Sequence, residues 1–183
     1  MSTSAHTPMP TGAAPADVAE RAAALVNPAS GLANDYLNIF NEIVMMIDLL
    51  PEMPDLADDI GAWTPVTYRA YFAHSTLAGR ERALHVYDGL DPHFRRTFER
   101  CASALSRAAR AACDNVLDAT ARQARDDLAA ICADHANRLR FRLDRMADMV
   151  NSGAIQRSRR VASRSQRLSA ASSLGERTLR TRA

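Results

Sequence analysis

The sequence predicts an all-α protein: a small helical core followed by a long helix or helical hairpin, with a disordered N-terminal arm and a basic C-terminal tail. Three observations carry this reading. Apolar residues recur at three- and four-residue spacing from Leu32 to Leu50 and again from Phe94 to Val150. Three cap-plus-proline pairs, Asn27-Pro28, Thr64-Pro65 and Asp91-Pro92, mark helix starts. Between Pro92 and Gly153 lie sixty residues without glycine or proline.

Residues 1–27 read as a flexible arm. Met1–Ala14 is rich in Ser, Thr, Pro and Ala without periodicity. A short helix over 15–26 would place Val18, Ala22 and Leu25 on one face. Asn27-Pro28 then opens a helix over 28–50, whose stripe of Leu32, Tyr36, Ile39, Phe40, Ile43, Val44, Ile47 and Leu50 is wide enough to be central, and Pro51 stops it. Residues 51–64 are an acidic connector with room for one helical turn near Asp55–Ile60. Thr64-Pro65 restarts helix, with Tyr68, Tyr71 and Phe72 on one face. A break at His74–Gly79 precedes a short helix near Arg80–Asp88, closed by Gly89.

The helical domain is expected over 28–152, with a core at 28–105 and an arm at 92–152. As one helix the late segment would extend roughly 90 Å at 1.5 Å per residue. It must fold back or pair with another chain, and Asp114-Asn115 is the expected turn. Nine of the ten aromatics lie between Tyr36 and Phe98, so the compact core is expected early. The uncovered stripe of the late segment predicts a homo-oligomer.

At 183 residues and 20.0 kDa the chain is long enough for one domain. Apolar residues make up 47%, yet thirty-five are alanine, so large core side chains are scarce. All twenty-three basic residues are arginine. Without lysine, Schiff-base, P-loop and kinase-type chemistry are excluded. Neither G-x-G-x-x-G nor G-x-S-x-G occurs, so a dinucleotide fingerprint and a nucleophile elbow are excluded too. Cys101, Cys113 and Cys132 have no C-x-x-C spacing and read as small buried residues of a reducing compartment. No signal peptide or membrane span is expected, because the most apolar stretch, Tyr36–Leu50, is short and carries polar residues. A cytoplasmic location follows as the expectation.

The charges are polarised. Residues 153–183 hold eight arginines against one acid, a net +7, while the rest carries fifteen arginines against twenty acids, a net −5. Within the latter, Asp35–Gly61 has seven acids and no base. The tail arginines Arg157, Arg159, Arg160, Arg164 and Arg167 suit phosphate contact without base stacking, so nonspecific nucleic acid is one expected partner. A tail that only solubilises is the plainer reading.

Other candidate sites are fewer. H-x-x-R occurs at His93–Arg96 and His135–Arg138. A histidine with a cation one turn on, on the same helix face, is the arrangement of histidine phosphotransfer, where the cation would stabilise the phosphoryl charge. The plainer reading of His135, on the apolar stripe, is a packed residue. Asn34, Asp35, Asn38, Asn41 and Glu42, continued by Asp48, form the polar ridge of the central helix. They would offer amides and carboxylates to a basic protein partner, or merely face solvent. Cys132 with His135 and Glu81 with His85 share helix faces, but a metal site needs three or four converging ligands, so no metal and no cofactor is expected. The sequence thus points to a non-enzymatic helical interaction or regulatory protein, with histidine phosphotransfer and nucleic-acid association through the tail as alternatives.

Overall fold

The computed structural model describes residues 25–122 and 125–153. The expected short helix with Val18 and Ala22, and the tail arginines Arg157, Arg159, Arg160, Arg164 and Arg167, lie outside the described residues. Among those described, every regular element is helical.

The chain enters through a tight loop rather than the helix start expected at Asn27-Pro28. The Asn27 side chain does accept a backbone N–H, but from Ala29 at 2.9 Å, and its carbonyl accepts from Gly31 at 2.7 Å. These bonds close a turn instead of a helical ladder. Gly31 sits at φ +75, where a side chain would strain the backbone and collide with Leu90. Regular structure begins later, as a 3-10 turn at Asn34–Leu37 that runs into α1, Asn38–Leu49. The apolar stripe faces inward: Leu32, Tyr36, Phe40, Ile43, Val44, Ile47 and Leu50 are buried, and Ile39 is half-buried against the core.

Helix α2, Leu56–Ala62, occupies the acidic connector. Helix α3, Tyr68–His74, starts three residues after Pro65, because Thr67 rather than Thr64 supplies the cap by accepting from the Ala70 N–H at 3.2 Å. Helix α4 spans Arg80–Asp88, as the glycines on either side of it suggested. The third start signal acts as read: Asp91 Oδ1 accepts from the N–H groups of His93 and Phe94 at the head of α5, Pro92–Ala121. Helix α6 covers Arg125–Ser152.

The long segment is therefore two helices that pair as a hairpin, and the break lies between Ala121 and Arg125 instead of at Asp114-Asn115. Asp114 stays helical, paired with Arg110 at 2.8 Å. Asn115 likewise donates back to the Ala111 carbonyl. A phase slip records the true turn. Ala119 and Cys132 both face the core, yet thirteen residues of continuous helix would set them roughly 140° apart at about 100° per residue.

The late segment is not an arm. Helix α1 lies on one face of the α5–α6 hairpin, with Phe40, Ile43 and Val44 set against Leu105, Ala109 and Leu139. Cys132, Ala136, Leu139, Leu143, Met146 and Val150 all belong to the same core as the early aromatics, so the core runs to Val150 rather than ending near 105. The hairpin covers its own stripe, which removes the length argument for an oligomer.

The early aromatics close the other end of the bundle. Tyr36 meets Phe40, Tyr68 and Tyr71 edge-on at centroid distances of 5.3–5.9 Å, and Tyr68 stacks on Tyr87 at 4.6 Å. Tyr68, Tyr36 and Trp63 each have a partner for the polar end. The Ala33 N–H donates to the Tyr68 oxygen at 2.9 Å, Tyr36 donates to the Val66 carbonyl, and Trp63 donates to the Ile39 carbonyl. Burial pushes Tyr68 up to about 12, an effect the Ala33 bond only partly offsets. Burial raises Tyr36 likewise, so both phenols stay neutral across the physiological range.

Candidate functional site: the open face of the α5–α6 hairpin

One face of the hairpin is covered by α1, and among the described residues no element covers the other. Between α5 and α6 on that side runs a groove of about 820 Å³. Its α5 wall is built from small side chains, Ala104, Ala108 and Ala112, with Cys101 at one end. Phe141, Met146 and Met149 of α6 face them. Phe141 is the tenth aromatic, the one outside the early cluster, and it is 65% exposed. Burial of a phenylalanine is worth about 1.5–3 kcal/mol. Here the exposed ring is continuous with the alanine wall and Met149, and such a contiguous apolar surface is a feature of interaction sites.

The rim is basic. Arg138, Arg142 and Arg145 project on the α6 side. On α5, Arg100 and Arg107 lie one turn before and after Ala104 and line an adjoining hollow with His93 and Arg96. Asp134, the acid lining the groove, is paired with Arg138 at 3.0 Å. In the sequence the arginines of the late helix stand beside acids and read as solvated pairs, which conceals this site. The signal was present in the spacing: Arg138, Phe141, Arg142 and Arg145 recur at three and four residues on one side of the late helix.

The sequence-derived candidates are placed as follows. Asn34, Asn38, Asn41 and Glu42 are exposed and Asp35 is half-buried, so the ridge exists. Its ends serve the fold. Asn34 donates to Asn151 Oδ1 at 2.7 Å, holding the end of α6, and Asp48 pairs with Arg140 across α1 and α6. Asn34 is thus an interhelical contact, contrary to the purely solvated reading. His93 is exposed near the start of α5, with Arg96 one turn on. His135 is half-buried and lines the groove, as its place on the stripe suggested. The two histidines line separate hollows and do not converge. Among the described residues no group of three or more His, Cys, Asp or Glu side chains is placed to hold a metal. No helix among them is long and apolar enough to cross a membrane.

The cysteines separate by environment. Cys113 and Cys132 are buried, Cys101 half-buried in the groove. Burial raises the Cys113 thiol to about 11, with the Arg110 charge opposing weakly, and raises Cys132 as well. Since the thiolate is the reacting species, alkylation of the native protein at pH 8 should modify Cys101 first. Peptide mapping after a short iodoacetamide pulse checks this, and equal labelling of Cys113 would contradict the packing described.

Comparison of the chain with family models, with curated proteins and with solved structures finds no match.

Proposed function

We propose that the chain is a non-enzymatic helical interaction protein that works by helix-mediated association through the open face of the α5–α6 hairpin. The observation behind this is Phe141, exposed beside an alanine-walled groove whose rim carries three arginines. The groove takes one amphipathic helix: the alanines let the backbone approach closely, Phe141 is the apolar anchor, and the arginines select acidic residues on the flanks. A photo-crosslinking amino acid in place of Phe141 tests the reading in cells. It should trap a discrete polypeptide adduct, whereas the same group at Arg82 on the exposed side of α4 should not. The absence of any adduct specific to position 141 would overturn the proposal.

Histidine phosphotransfer remains a second proposal, and the placement favours His93 over His135. His93 is exposed, with Arg96 and Arg100 lining the same hollow. Acid-labile, base-stable phosphate on His93 after incubation with acetyl phosphate would support it, and loss of that label in His93→Ala would assign it.

Nucleic-acid association through residues 153–183 is an independent proposal resting on composition. If five or six of the eight arginines engage duplex phosphates, the log–log salt slope should be near −5, using about −0.9 per contact. Deleting 153–183 should remove that retention while leaving thermal stability almost unchanged. Retention that survives the deletion would place the contacts elsewhere.

A further inference from the structure

The same molecule carries a surface complementary to the groove. The outer side of α1 and the turn after it expose Met45, Leu49 and Met53, at 55%, 36% and 50%. These three recur every four residues, and the backbone bond from the Met53 N–H to the Leu49 carbonyl at 2.8 Å continues the helical path through Pro51. They make one apolar stripe about two turns long. Its borders are acidic: Glu42, Glu52 and Asp55 are exposed, and no base occurs anywhere in Asp35–Gly61. An apolar groove with a basic rim and an apolar ridge with an acidic rim are thus two halves of one interface.

They cannot meet within one chain. The buried side of α1 rests on the closed face of the hairpin, so its outer ridge points away from the open groove on the other face. We infer that the occupant of the groove is the Met45–Met53 ridge of a second copy of this chain. The inference rests on the open face being an association surface and adds the identity of the partner. Met45 and Leu49 would pack against Phe141 and the alanine wall, with Glu42 and Glu52 among Arg138, Arg142 and Arg145. Because groove and ridge are different surfaces, the contact is heterologous. A pair joined by one such contact keeps one free groove, on one chain, and one free ridge, on the other, so the assembly grows as an open chain or closes as a ring. Opposite charges at the rim would speed encounter and make association fall with salt.

The full-length protein tests this by light scattering. Wild type should exceed its 20.0 kDa monomer mass as concentration rises, and should return towards monomer at high salt. Phe141→Asp and Met45→Asp each alter an exposed position, so far-UV circular dichroism should be unchanged. Each variant alone should scatter as a monomer. Mixed in equal amounts, the intact ridge of the first should enter the intact groove of the second, doubling the mass to a dimer that stops there. Should either aspartate variant unfold, Arg142→Glu and Glu42→Arg replace the pair, and their mixture should associate where neither does alone. If Phe141→Asp abolishes association while Met45→Asp leaves it intact, the groove pairs with itself and the inference is wrong. If wild type stays monomeric at every concentration while position 141 crosslinks a different polypeptide, self-association fails and the interaction reading survives. Association that instead requires anionic vesicles would assign the basic rim to a membrane surface and overturn the inference.

Discussion

A chain cut after Arg122, and so lacking α6, should fail to fold. Helix α6 places Leu139, Leu143, Met146 and Val150 in the core and covers the buried side of α1. At about 1.5–3 kcal/mol for each large side chain, these four alone contribute on the order of 6–12 kcal/mol. That matches the whole margin of about 5–15 kcal/mol on which a domain of this size rests. The truncated chain should lose its cooperative thermal transition and most of its helical circular dichroism. A chain cut after Gly153 should keep both. A truncated protein that melts sharply near the full-length temperature would mean that residues 25–122 make a complete core, contrary to the packing of α1 on α6.

Phe40→Ala should destabilise the protein by about 3–5 kcal/mol. Phe40 is 1% exposed and stands where three parts of the molecule meet. Its ring contacts Tyr36 and Trp63 edge-on, with centroids at 5.6 and 6.1 Å, and its far side reaches Leu105 and Leu139. Neighbours held on α5, on α6 and just past the end of α2 cannot all collapse into the space, so the cavity term adds to the lost transfer energy. Asn34→Ala, a few residues away, removes one exposed hydrogen bond to Asn151 and should cost about 1 kcal/mol or less. Urea titrations of the two variants give the comparison, and equal midpoints would contradict it.

What the sequence disclosed follows from which forces are local. The caps at Asp91 and Gly89 and the stripe from Tyr36 to Leu50 depend on groups within a turn of each other, and their elements lie where expected. Asn27-Pro28 and Thr64-Pro65 misled because an asparagine or threonine side chain caps whichever N–H the backbone brings to it. At Asn27 that was a turn, and at 64 the role passed to Thr67. The hairpin turn carries no glycine or proline, so Asp114-Asn115 stood as the only local candidate, and the change in apolar phase between Ala119 and Cys132 shows only once their burial is known. The groove needed the fold itself. Ala104, Phe141 and Arg142 have no relation in the sequence until α6 turns back along α5. The acidic ridge was legible as a polar face, but its exposed methionines gained meaning only once the opposite side of α1 was seen to be buried.

The alkylation rate of Cys101 tests most directly whether the open face is the working surface. Cys101 lines the groove and is the least buried of the three thiols, so whatever occupies the groove shields it. Its rate is measured against a reference cysteine introduced at Arg82 on α4, first in dilute purified protein and then in the concentrated native extract of the cells that make it. The account predicts that Cys101 slows several-fold relative to the reference in the extract, that dilution restores it, and that Phe141→Asp abolishes the protection. Equal relative rates under both conditions, with Phe141 intact, would show that nothing occupies the groove where the protein works.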